Sequence, residues 1–299
     1  MLASSGQEAV QQAINALSLG STYALLALGL AMVFSILGLV NFAHGELVTV
    51  AAYTMYLENE HGIGFAAQVP SAIVAACVAA LLMERIAFRP LRGASFLTLL
   101  FSSFAVSVII QNLFLAIISP RQKGARLPNL FNEALHVGPY AIGWLQVITS
   151  ATCLGALVVL TIFLRRSTQG LGMLAAAQDF QVTRLMGIPA NRVIAGAFAI
   201  SGALAGVAAI FILSRRGTVE PTMGFVPVLK AFIASVIGGL GSLSGAVVGG
   251  FVLAAIEVGL DASLPNSILP FRDAFALAIV VAILYLRPEG LLTRPAETR

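Results

Sequence analysis

Long apolar runs broken by short polar clusters repeat along the whole chain. Runs at about 12–38, 44–58, 66–83, 95–118, 143–164, 192–213, 226–240, 244–260 and 273–286 each approach the roughly 20 apolar residues that cross a bilayer as helix. The pattern predicts an all-α, polytopic membrane protein of about nine transmembrane helices, forming one transmembrane domain over residues 1–299. The runs starting at 226 and 244 are shorter than ideal, and the last is short. Two connections are long and polar. Residues 119–143, "SPRQKGARLPNLFNEALHVGPYAIG", carry the Pro, Gly and Asn of a loop. Residues 165–191 contain helix formers from Leu171 to Met186, then Gly187 and Pro189 as a stop, so a single short helix is expected there.

Two runs are interrupted from within. A continuous helix from Gln12 to Leu57 would measure about 70 Å, more than two hydrocarbon thicknesses, so the chain must break near its middle. The polar cluster "NFAHGE", Asn41 to Glu46, marks the place. Irregular backbone at membrane depth persists only where protein or water satisfies its N–H and C=O groups, so Asn41, His44, Gly45 and Glu46 should face the interior or an aqueous path. A tight turn at the membrane surface, with His44 and Glu46 merely solvated, fits the motif equally well. The second interruption lies in "SVIGGLGSLSGAVVGGFVLAAIE", with Gly238, Gly239, Gly241, Gly245, Gly249 and Gly250, and Gly259 just beyond. Glycine at this density breaks helices or lets backbones touch, and the Gly241–Gly245–Gly249 spacing is also that of ordinary helix packing. One interruption in each half suggests a weak two-half repeat. Broken helices so paired point to a transport pathway bounded by Asn41, His44, Gly45, Glu46, Gly238, Gly239, Gly241, Ser242 and Gly245.

Composition agrees with the pattern: 59% hydrophobic and 10% charged residues, against about 25% charged in soluble domains. No Lys or Arg precedes Glu84, so the N-terminus lacks the basic region of a cleavable signal peptide. The net charge of +4 reports topology more than a nucleic-acid partner. Placing 84–93, 165–192 and 287–299 in the cytoplasm puts Arg85, Arg89, Arg92, Arg165, Arg166, Arg184, Arg192, Arg287, Arg294 and Arg299 inside. Arg121, Lys123, Arg126, Arg215, Arg216 and Arg272 are then outside. That bias favours an external N-terminus and a cytoplasmic C-terminus. Cys77 and Cys153 sit in apolar runs without metal-ligand spacing and read as small core residues.

The segments "GSTYALLALGLAMVFSILGLVNFAHGE", "ERIAFRPLR", "RRSTQGLG", "AQDFQVTRLMGI" and "KAFIASVIGGLGSLSGAVVGG", in that order, resemble the branched-chain amino-acid family of ATP-binding-cassette transporter permeases. The likeness is to the first of the two permease types in such systems. It implies one transmembrane subunit of a bacterial inner-membrane importer, working with a second homologous permease, two cytoplasmic ATPases and a soluble substrate-binding protein. It also implies substrates such as Leu, Ile and Val, or urea, short amides and aromatic acids. A short helix in 165–191 would dock on the ATPase, with Ala177, Asp179 and Gly187 as coupling residues. Leu171 and Leu174 stand where relatives carry Arg, which removes charge from that dock.

The residues themselves offer no catalytic chemistry. A Walker A loop needs Lys followed by Ser or Thr; Lys123 precedes Gly and Lys230 precedes Ala. ATP is therefore expected on a partner, with no cofactor or metal bound by this chain. With three His, two Cys and no clustered carboxylates in the spans, no nucleophile–base set stands out, and an enzyme is not expected. A self-sufficient secondary transporter or channel with His44 or Glu46 as proton site remains the alternative. Glu84 and Arg85 read as a span anchor, Gln111 and Asn112 as hydrogen bonds to a neighbouring helix, and Lys230 as a snorkelling or acid-paired cation. Glu257 and Asp261 read as wet residues near a helix end, and His61 and His136 as loop residues without a role.

Overall fold

The computed structural model describes residues 2–125, 128, 131, 133–137 and 140–292; Arg126, Arg294 and Arg299 lie outside the described residues. Eleven α-helices are described: α1 (Leu2–Leu37), α2 (His44–Glu60), α3 (Phe65–Met83), α4 (Phe96–Ile117), α5 (Trp144–Arg166), α6 (Thr168–Gln178), α7 (Phe180–Leu185), α8 (Ala190–Arg216), α9 (Phe225–Gly238), α10 (Leu243–Ser263) and α11 (Arg272–Leu286). The apolar runs thus become helices within a few residues of the expected bounds. Among the described residues seven helices are long and apolar enough to span: 8–37, 65–88, 96–117, 144–166, 190–216, 243–263 and 269–286. The other two are part-spans. α2 has 17 residues and α9 has 14, about 26 and 21 Å of helix against a core of about 30 Å.

The polar connections gather at two ends. At one end Arg92 donates to Asn191, Leu291 N donates to Ile237 O, and Gly241 packs on Phe34 at the close of α1. At the other, β1 (Lys123–Gly124) pairs antiparallel with β4 (Thr218–Val219), and the hairpin of β2 (Ala134–Val137) and β3 (Tyr140–Gly143) meets α1 through Gln11 and Ala141. These short ladders tie loops together and leave the transmembrane layer helical. α1 and α8 run through the centre and are buried on nearly all sides, whereas α4 and α11 expose most of theirs.

Several local expectations change. The helix expected over 171–186 splits at Asp179, whose extended backbone ends α6 and whose Oδ1 accepts from Val182 N at 2.9 Å to start α7. Glu84 does anchor the end of α3, but as a buried residue in one π-helical turn, Glu84–Phe88, ion-paired with Arg92; Arg85 is exposed. Glu257 is not wet. It is 2% exposed, with Oε1 at 2.8 Å from Lys230 Nζ and Oε2 accepting from Tyr23 OH at 2.8 Å. Lys230 pairs with the buried Glu257 and the exposed Asp273, while Asp261 stays at the surface and takes Arg272. Cys77 and Cys153 are free thiols, half-buried and buried.

Candidate translocation site

The chain leaves α1 at Leu37, turns at Gly38, and runs as irregular backbone back among the helices before α2 begins at His44. Two neighbours fix its depth. The His44 ring lies against Gly29, two turns before the end of α1 and about 12 Å from it. His44 Nδ1 is also 3.0 Å from Ser201 Oγ, three turns into α8. The break is therefore inside the membrane layer, which excludes the surface-turn reading. Its backbone is paid for by protein: Ser103 of α4 donates to Val40 O and accepts from Phe42 N, both at 3.3 Å, and His44, Gly45 and Glu46 close the first turn onto Asn41, Phe42 and Ala43.

A second break was hidden in what reads as a loop. After α8 ends at Arg216, residues 217–224 re-enter from the other end, and α9 starts at Phe225. The backbones of Gly45 and Gly224 touch, so that a Cβ on either would overlap the other's carbonyl. Two part-spans thus meet N-terminus to N-terminus in the interior, neither capped by a side chain, and the carboxylate of Glu46 sits in the first turn of α2. A negative group there is favoured by both helix dipoles. The repeat expected from sequence is present as long helix, break, part-span: α1, 38–43, α2 and α8, 217–224, α9. Its second break is 217–224 rather than 239–242. The only sequence signal was the shortness of the run from 226, with Pro221 and Gly224 ahead of it.

Asn41, His44 and Glu46 are brought together and are each at most 1% exposed. Asn41 Nδ2 reaches Met83 Sδ at 3.7 Å. Glu46 Oε1 accepts from Ser107 Oγ at 2.8 Å and from Gln111 Nε2 at 2.7 Å, so Gln111 reaches another helix as expected, while Asn112 bonds Val108 O within its own. Asn41 Oδ1 and, further along the same helix, Tyr53 OH have no partner in the protein; His44 Nε2, Glu46 Oε2 and Thr49 Oγ1 make no well-formed hydrogen bond, with the Leu26 backbone beside His44 and the Thr49 side chain beside Glu46. Thr49 and Tyr53 escaped the sequence reading because a lone hydroxyl in an apolar helix carries no signal. An orphaned buried group costs about 1–3 kcal/mol until an ordered water or a bound solute takes it.

The Gly238–Gly245 segment lies elsewhere, as the hairpin between α9 and α10. The Gly238 and Gly245 backbones are too close for a Cβ on either, and Gly239 and Gly241 turn the chain at φ +105° and +87°. Ser242 Oγ caps α10 by accepting from Gly245 N at 3.0 Å. Gly241 also lines a cavity of about 600 Å³ that reaches Arg165 and Ala177. Ala177 and Asp179 are exposed at the same end, and Gly187 turns α7 into α8 at φ +81°. Beside them Val182, Leu185 and Met186 are 52, 86 and 77% exposed. Among the described residues no three His, Cys, Asp or Glu side chains converge as a metal site needs.

The profile of the branched-chain amino acid transport system / permease component family matches residues 12–284. The chain belongs to this family. It is 35% identical over 306 residues to BraD of Pseudomonas aeruginosa, a high-affinity branched-chain amino acid transport system permease protein, covering 96% of each chain. It is 34% identical over 300 residues to the permease protein LivH of Escherichia coli, again covering 96% of each. Among solved structures, PsaBC from Streptococcus pneumoniae has the same fold, with a TM-score of 0.52 over 92% of this chain and 91% of that one at 14% identity. The permease is thus a multi-pass integral membrane protein of amino-acid transport, and the buried polar break lies within the matched region.

Proposed function

We propose that this permease is a transmembrane subunit of an ATP-driven importer for branched-chain amino acids or similar small amphipathic solutes in a bacterial inner membrane. The observation that carries the reading is the meeting of α2 and α9 at Gly45 and Gly224, beside buried polar atoms that lack protein partners. Part-span N-termini at membrane depth are the usual setting of a solute site. Asn41, His44, Gly45 and Glu46 line the path, and the hairpin of Gly238, Gly239, Gly241, Ser242 and Gly245 holds α9 beside it. A second homologous permease completes the conduit, two ATPases bind the cytoplasmic end, and a soluble binding protein delivers the solute outside. ATP is used by the ATPases; this chain binds no cofactor and does no catalytic chemistry. The exposed apolar tip at Val182, Leu185 and Met186, with Ala177, Asp179 and Gly187 around it, supports an ATPase dock over 165–191. The external N-terminus and cytoplasmic C-terminus follow from the basic end that carries Arg85, Arg89 and Arg165.

Proteoliposomes holding the permease and its partner subunits should accumulate leucine only with ATP inside the compartment of the ATPases. The buried Glu46 and His44 favour a second reading, proton-coupled transport by this chain alone. Uptake by vesicles containing only this chain and driven by a pH gradient would overturn the ATP-driven reading.

A further inference from the structure

A second cavity, of about 370 Å³, opens between α4 and the re-entrant 217–224 segment. Its size falls at the lower end of small-molecule pockets, about 300–1,000 Å³. Arg216, Glu220 and Phe225 line it from the stretch between the end of α8 and the start of α9, and Phe104, Ser107 and Gln111 line it from α4. The charged pair is 3.2 Å apart and partly open, 37% and 32% exposed, and Gln122 steadies Glu220 at 2.8 Å. Phe104 is fixed, since it stacks on Phe42 at 4.4 Å between ring centres and Phe42 leans on Phe232 at 5.4 Å. Two lining residues are shared with the polar break: Ser107 and Gln111 are the donors that hold Glu46 Oε1.

Resting on the transport reading above, we propose that this cavity holds the solute as a zwitterionic α-amino acid with a branched or other apolar side chain. Arg216 takes the carboxylate, Glu220 takes the ammonium, and Phe104 and Phe225 take the side chain. The argument is one of charge balance. In the empty cavity Arg216 and Glu220 neutralise each other, and an exposed pair of this kind is worth little, so it opens at small cost. A ligand carrying both charges replaces each partner and leaves the site neutral. A simple anion satisfies Arg216 but sets a like charge against Glu220, and a simple cation does the reverse. Ser107 and Gln111 stand between the cavity and Glu46, one hydrogen bond from the break.

The test is saturation-transfer NMR on the assembled transporter in lipid nanodiscs without its soluble binding protein. The probes are L-leucine, L-leucinamide, which lacks the carboxylate, and 4-methylpentanoate, which lacks the ammonium. Leucine should bind about tenfold more tightly than either analogue. Arg216→Gln should weaken leucine about tenfold and tighten leucinamide, which no longer meets a like charge, whereas Arg216→Lys should stay within about threefold of wild type. Glu220→Gln should weaken leucine and tighten 4-methylpentanoate, for which Arg216 is then free and no like charge remains. Phe225→Ala, which touches neither charge, should weaken leucine more than alanine and serves if a charge variant fails to assemble. Leucine uptake by the wild type, without this discrimination or with variants that discriminate as wild type does, overturns the inference and leaves the transport reading standing. Absence of any leucine uptake by the complete transporter overturns both.

Discussion

Two buried polar clusters lie in the membrane layer, and they are built on opposite terms. Around Glu257 the ligation is closed: both carboxylate oxygens are taken, by Lys230 and Tyr23, and Lys230 is shared with Asp273. Along α2 it is looser: Glu46 has one oxygen firmly held and only the Thr49 hydroxyl beside the other, and Asn41 and Tyr53 each keep an atom without a protein partner. A charge pair buried without lipid or water access must be complete or it is very costly, so the first cluster reads as a fastening between α1, α9, α10 and α11. An incomplete set at the meeting of two part-spans reads as a place that something else completes. Burial alone does not separate the two, since Glu46 and Glu257 are equally hidden. The count of unfilled valences does.

The largest effect should come from breaking the closed cluster. Glu257→Leu leaves Lys230, which is 14% exposed, with only the exposed Asp273 and leaves Tyr23 OH without its acceptor, and should cost about 3 kcal/mol of stability, read as a fall in the thermal midpoint of the detergent-purified protein. Lys230→Met together with Glu257→Leu should recover most of that loss. A double variant no more stable than the single would mean that Glu257 does more than neutralise Lys230. Next in size is the α9–α10 hairpin. Gly245→Ala places a methyl group against the Gly238 backbone and should cost about 1–3 kcal/mol. Gly259→Ala on the same helix meets nothing within 4 Å and should instead gain about 0.5–1 kcal/mol. Equal effects at the two positions would remove the close approach as the reason for glycine there.

The sequence made the helices legible because each apolar run must satisfy its own backbone in lipid, and that leaves a one-dimensional signal. Eight of the nine helix starts outside 165–191 needed only run length and a polar edge; α1 begins well before its apolar part, at Leu2. The depth of Asn41–Glu46 was not legible. It depends on Gly29 and Ser201, far away in the chain, and a polar turn at the surface has the same residues. The 217–224 re-entry was missed for a related reason: "TVEPTMG" reads as loop wherever it sits, and only the contact of Gly224 with Gly45 places it inside. Glu257 was misplaced because its partners are remote. Tyr23 and Lys230 come from α1 and α9, and no local pattern announces a three-helix fastening.

A smaller stability effect is expected at the proposed dock. Asp179→Ala removes the cap of α7 and should cost about 1 kcal/mol locally, while uncoupling ATP hydrolysis from uptake in the assembled transporter. Gly187→Val should uncouple as well, since its φ of +81° suits glycine. Coupled, normal uptake by both variants would remove 165–191 as the dock.

The smallest stability effect, and the sharpest test of the comparison, belongs to Glu46→Gln. The amide can keep the acceptor oxygen toward Ser107 and Gln111 and turn its NH2 to the Thr49 hydroxyl, so the fold keeps its protein hydrogen bonds. The thermal midpoint should move by less than the equivalent of about 1 kcal/mol. Uptake should nevertheless fall by about tenfold or more, because the loosely held oxygen has become a donor. Ser107→Ala breaks only the held oxygen and should do the reverse, lowering stability by about 1 kcal/mol with uptake reduced less than in Glu46→Gln. If instead Glu46→Gln is as destabilising as Glu257→Leu and transports normally once folded, the open cluster is a fastening too, and unfilled valence is no guide to the path in this fold.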